Sequence, residues 1–186
     1  MEITRTLYAA DRDAWRAWLA EHYRTEKEIW LVYPRKHTGK PRIPYADAVE
    51  EALCFGWIDS TQKTLDDDHT AQRYTPRRPG VAYSQPNQER LRRMIAQGKV
   101  LPEVVESIGD LLDRPFVIPA DILRALQASE RAWGNLQRWS DSYLRIRVAF
   151  VESARGDPAE FGKRLRNLVD KSEKGKQYGF GVEPYY

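Results

Sequence analysis

The chain has 186 residues, 41% of them hydrophobic, which suits one domain-sized core or a core with a helical extension. Its 30 basic and 27 acidic side chains leave a formal net charge of +3, so the surface is well solvated and nucleic acid is an unfavoured partner. A single cysteine excludes an internal disulfide, no run approaches the ~20 apolar residues that span a bilayer, and the start of the chain lacks the apolar stretch of a secretory signal; the expected compartment is the cytoplasm.

Ile3 to Tyr8 alternates in polarity and predicts a short strand. Asp11 or Asp13 is placed to cap a helix carrying Trp15, Trp18, Leu19 and His22 at i, i+3, i+4 and i+7. Residues 28–33, rich in aromatic and branched side chains and stopped by Pro34, predict the strongest strand. Residues 35–40 read as an exposed basic turn. Pro44-Tyr45 opens a helix with the stripe Ala48, Val49, Ala52 and Leu53, and Gly56 is its natural end. Residues 57–65 and 71–75 then predict a hairpin joined by the acidic turn Asp66-Asp-Asp-His69.

From Pro86 onward the periodicity is helical. Leu91, Met94 and Ile95 mark a helix ending near Gly98, and Val104, Val105, Ile108, Leu111 and Leu112 mark a second. Ile122, Leu123 and Leu126 mark a third after Pro119; Trp133, Leu136 and Trp139 mark a fourth. Tyr143, Ile146, Phe150 and Val151 continue into a longer one, and Phe161, Leu165, Leu168 and Val169 form an amphipathic face. The fold class expected is α+β: a small antiparallel sheet with helices in the N-terminal part, followed by a helical C-terminal part. The boundaries expected are a mixed body over 1–115, a helical part over 116–175, and a glycine- and tyrosine-rich tail over 176–186 that reads as mobile or draped over the surface.

The chemistry concentrates in Glu51-Ala-Leu-Cys-Phe-Gly-Trp-Ile-Asp-Ser60 and in Arg73-Tyr-Thr-Pro-Arg-Arg-Pro79, shortly before Ser84 and Asn87. Ser84 can cap the helix that follows, whose N-terminus offers free N–H groups, and arginine forks bind carboxylate or phosphate. Trp57, Asp59, Arg73, Arg77, Ser84 and Asn87 are therefore the candidate site for an anionic small molecule or a protein partner. In the structural alternative the arginines pair with Asp59 or with the 66–68 acids, and Trp57 and Tyr74 fill the space between sheet and helices.

Other groups yield less. Cys54 is a nucleophile only beside a base such as His69, and otherwise a small buried hydrophobe. Three consecutive carboxylates cannot all face one ion on a strand, and no second His/Cys cluster exists, so no metal is expected. Lys163, Arg164 and Arg166 give the last helix a basic face that Glu160, Asp170 and Glu173 interrupt.

Ala52-Leu-Cys-Phe-Gly-Trp-Ile-Asp59, Arg73-Tyr-Thr-Pro-Arg77 and Ser84-Gln-Pro-Asn87 resemble the YdeI/OmpD-associated (bacteriocin-protection, OmdA-like) family of bacterial proteins. The order and spacing match from about residue 7 to about residue 175. Tyr83 stands where that family carries tryptophan, and Ala159-Glu-Phe-Gly-Lys-Arg-Leu165 replaces its usual Thr-Arg start. The resemblance implies an association with stress response or antimicrobial-peptide tolerance, and it carries over no established reaction, cofactor or catalytic residue. A non-enzymatic cytoplasmic binder is the leading expectation. The rivals are an enzyme acting on an anionic substrate with Asp59 as acid–base, and a weak nucleic-acid binder.

Overall fold

The computed structural model describes residues 2–185 and has the expected α+β class. Its contacts divide the chain into two units. The first holds the residues through Tyr83 together with Arg90–Leu112, and the second holds Ser84–Glu89 and the chain from Asp113 onward. No helix among the described residues is long and apolar enough to cross a membrane.

The first unit is built on a four-stranded sheet, β1 (Thr6–Tyr8), β2 (Ile29–Pro34), β3 (Trp57–Thr64) and β4 (His69–Pro76), in the order β1-β2-β4-β3. The sheet is mixed rather than antiparallel throughout, because β1 runs parallel to β2 with Leu7 opposite Leu31. The reason is the connection: α1 (Arg12–His22) carries the chain back between these strands, and such a helical crossover returns a strand in the same direction. Asp11, not Asp13, caps α1, accepting the Ala14 N–H at 2.9 Å. β3 and β4 form the expected hairpin, with a register shift between Asp59 and Gln62.

Strand alternation sorts the side chains. Ile29, Tyr74 and Asp59 stand opposite one another and share a face, whereas Arg73 pairs with Trp30 on the other. The first face carries the core: Trp15 and Leu19 of α1, and Ala48 and Ala52 of α2 (Tyr45–Cys54), pack with Ile29, Leu31, Trp57 and Tyr74. Gly56 ends α2 at a φ of 72°, and a Cβ there would lie 3.3 Å from Val104, so the helix-to-strand turn requires glycine. A second cluster joins Val49 and Leu53 to Leu91 of α3 (Gln85–Ala96) and to Val104 and Ile108 of α4 (Pro102–Ile108). α4 stops at Gly109, whose φ is 57°, so Leu111 and Leu112 lie beyond the helix their spacing predicts.

The second unit contains α5 (Ala120–Gln127), α6 (Glu130–Leu136), α7 (Asp141–Glu152) and α8 (Pro158–Glu173). Ile122, Leu126, Leu136, Val148, Val151 and Leu168 form its core. Trp139 lies past the end of α6 and packs edge-on to Tyr143 instead. The segment expected as a mobile tail is packed: Val182 and Tyr185 are buried against Tyr143 and Ile146, and the Tyr178 N–H donates to the Tyr143 hydroxyl at 2.9 Å. Glycine content predicts freedom only where nothing anchors the chain, and here two aromatic rings do.

Glu89, one turn into α3, is fully buried and receives both arms of Arg145 at 2.7 Å, with Ser142 at 2.7 Å and Gln85 at 2.8 Å. Burial alone pushes its carboxyl up, but the hydrogen bonds from Arg145, Ser142 and Gln85 outweigh that and hold it below the ordinary carboxylate range. A carboxyl depressed on folding contributes stability that is fully present above its unfolded value of about 4.3 and is lost as pH falls through the lower folded value. Melting temperature should therefore fall more steeply below about pH 4.3 in the wild type than in Glu89→Gln; parallel profiles would rule out this carboxylate as a source of acid sensitivity.

Candidate functional site

The motif residues separate once the sheet forms. Trp57 is 1% exposed, its indole N–H donates to the Tyr23 carbonyl at 3.1 Å, and its ring meets Trp18 edge-on at 5.8 Å. Trp18 in turn stacks on Trp15 and His22. Trp57 is thus a core ring with its one donor satisfied, and no ligand reaches its face. Asp59 is half-buried and accepts the Tyr45 hydroxyl at 2.7 Å and the Gln72 amide at 3.4 Å. Burial and the Asp59 charge both raise the Tyr45 phenol. Burial likewise pushes Tyr33 up to about 12, with its hydroxyl 3.3 Å from that of Tyr74.

Arg73 does not pair with Asp59, which lies on the opposite face of the sheet; both Nε and Nη2 bond Glu28. On that outer face Lys27, Arg73, Thr75, Pro76 and Arg78 line a shallow recess of about 280 Å³. Arg77 folds over its own loop. Its guanidinium lies 3.7 Å from the Tyr83 ring centroid and donates to the carbonyls of Val81 at 2.7 Å and Ala82 at 3.2 Å. Tyr83, the aromatic exchange noted in the sequence, is therefore the platform for this arginine.

Cys54 is buried, and burial with the neighbouring Glu51 pushes its thiol up to about 11. A neutral thiol is a poor nucleophile. His69 is no base for it, since its imidazole bonds Asp66 at 2.9 Å across the acidic turn. Asp68 bonds His37 at 2.9 Å. The dominant charge cluster near Cys54 is structural: Glu50 and Glu51, 2% and 1% exposed, are held by Arg12 and Arg16 of α1, with Arg93 3.4 Å from Glu50.

Ser84 and Asn87 belong to the second unit. Ser84 immediately precedes α3, and its carbonyl accepts the Gln88 N–H at 2.9 Å. It also lines a cavity of about 590 Å³ within that unit, together with Ile146, Arg147, Phe150, Asn167 and Tyr178. Arg147 is 5% exposed, yet no carboxylate pairs with it among the described residues. Its Nη1 donates to the Tyr178 carbonyl at 2.9 Å, and its buried Nε has no hydrogen-bond partner. The guanidinium lies 4.7 Å from the Phe150 centroid and 4.6 Å from that of Tyr178. Gly179 has a φ of 130°, and a Cβ there would collide with Arg147 and come within 2.6 Å of Val182. Only glycine lets this strap cross the arginine.

Sequence reasoning passed over Arg147, although the signal was present. Tyr143, Ile146, Arg147 and Phe150 follow i, i+3, i+4, i+7, so a charged residue occupies a core position of α7. Glu89 left no comparable local trace, because its partner Arg145 is 56 residues away.

No curated protein and no solved structure matches the chain. A family model for a domain of unknown function, DUF8412, matches residues 7–107, more than half of the sequence and nearly all of the first unit. With nearly all of its sheet, its α2–β3 motif and its arginine loop inside that span, the chain belongs to the DUF8412 family.

Proposed function

We propose that this chain is a non-enzymatic binding protein whose second unit captures a small organic anion at Arg147. The observation that carries the reading is a guanidinium almost wholly withdrawn from water, lining a cavity, with its Nε unbonded and no acid paired to it among the described residues. A buried charge costs several kcal/mol unless paired, and a bound anion supplies the missing partner. Natural cavities of ~300–1,000 Å³ with few, convergent polar groups are the usual form of small-molecule sites. The site thus moves away from the Trp57/Asp59/Arg73/Arg77 surface and keeps only Ser84 of the six motif residues.

A thermal-shift screen of organic carboxylates and phosphates checks this. A ligand at ~100 times its dissociation constant adds about 2.7 kcal/mol, or a rise of roughly 5–10 °C for a chain of this size. The rise should appear in the wild type and in Asp59→Asn, and vanish in Arg147→Met. A shift lost in Asp59→Asn but kept in Arg147→Met would favour the rival, an enzyme using Asp59 as acid–base. The YdeI/OmpD resemblance adds the setting we infer, a bacterial cytoplasm under stress or antimicrobial-peptide challenge.

A further inference from the structure

Within that reading, on which it rests, we infer that the ligand class is an aromatic monocarboxylate rather than a phosphorylated metabolite or nucleotide. Charge comes first. Among the described residues Arg147 is the one cationic side chain lining the cavity, so one negative charge is matched there and a second finds no cation in the walls. Arg164, whose guanidinium lies 4.1 Å from the Phe150 centroid, is already neutralised by Glu160 at 2.9 Å.

The donor geometry agrees. Nη1 is committed to the Tyr178 carbonyl, which leaves the Nε–Nη2 edge of the guanidinium. That edge presents two parallel N–H groups, the arrangement a carboxylate meets side-on with both oxygens. Phosphate sites are instead cradled by several backbone N–H groups, and here the first turn of α3 places Pro86, which has no N–H, in the wall.

The body of the ligand is set by the remaining walls. Ile146, Ala149, Phe150, Phe180 and Val182 are apolar, and the Phe150 and Tyr178 rings flank the guanidinium. A flat ring carrying one carboxylate satisfies the arginine at one end and these walls at the other.

Calorimetric titration of the full chain at neutral pH with phenylacetate, acetate, phenyl phosphate and neutral phenylacetamide tests the assignment. Phenylacetate should bind at least about 10-fold tighter than each of the other three, a margin of about 1.4 kcal/mol. In Arg147→Lys, which keeps the charge but loses the fork, its affinity should fall by about 10-fold. Tighter binding of phenyl phosphate would overturn the ligand class and leave the anion site standing. Equal binding of phenylacetamide and phenylacetate, or no binding by any of the four, would overturn both.

Discussion

Glu51→Ala is expected to destabilise the first unit by about 3–5 kcal/mol, the loss seen when one partner of a buried ion pair is removed. Glu51 is 1% exposed and joins two arginines that lie one turn apart on α1: Arg12 bonds Oε1 and Arg16 bonds Oε2. Arg12 also reaches Glu50 at 2.8 Å and Asp47 at 3.4 Å, so it retains partners when Glu51 is lost. Arg16 keeps the Lys99 carbonyl at 2.9 Å, a position over the Phe55 ring and the neutral Cys54 thiol, none of which carries a full negative charge. The damage therefore falls mainly on Arg16 and on the α1–α2 contact. Urea denaturation followed by tryptophan fluorescence reads the effect, and Glu51→Gln, which keeps the shape and one acceptor, should cost less. A change below about 0.5 kcal/mol for the alanine variant would mean that the cluster behaves as an ordinary solvated pair.

Trp57→Ala is expected to cost a similar ~3–5 kcal/mol, by a different route. The substitution empties a fully enclosed site between Trp18 and the sheet, and it leaves the Tyr23 carbonyl without its 3.1 Å donor. The lost carbonyl partner alone is worth about 1–3 kcal/mol. Trp57→Phe should recover much of the packing and none of the hydrogen bond. If Trp57→Ala keeps wild-type stability but loses a bound ligand, the ring is a binding platform and the core assignment is wrong.

Both expectations concern the stretch that drew attention first, and both make it architecture. Its residues read as a site because arginine, aspartate, tryptophan and cysteine crowd together in sequence. Strand alternation then sends Arg73 and Asp59 to opposite faces, and Gly56 turns Trp57 inward while ending the helix. Spacing along a chain does not report which face of a sheet is covered until the register is known. Arg77 illustrates the same limit, since the loop that looks like a ligand clamp is the surface it stacks upon.

Local signals were sufficient for most elements. The strand over 28–33, the helix opening at Pro44-Tyr45 and the 57–76 hairpin follow from periodicity, proline and turn chemistry, which act within a few residues. The α+β class follows from their order. What tertiary structure alone decided was the parallel pairing of β1, the assignment of Ser84–Glu89 to the second unit, the anchoring of the C-terminal segment, and the burial of Arg147 with its Nε unbonded. Each of these depends on partners tens of residues apart, whose meeting is set by packing and charge burial rather than by propensity. A buried arginine at a core position is visible in the sequence of α7; whether a neighbouring acid or a ligand answers its charge is visible only when the helices have packed.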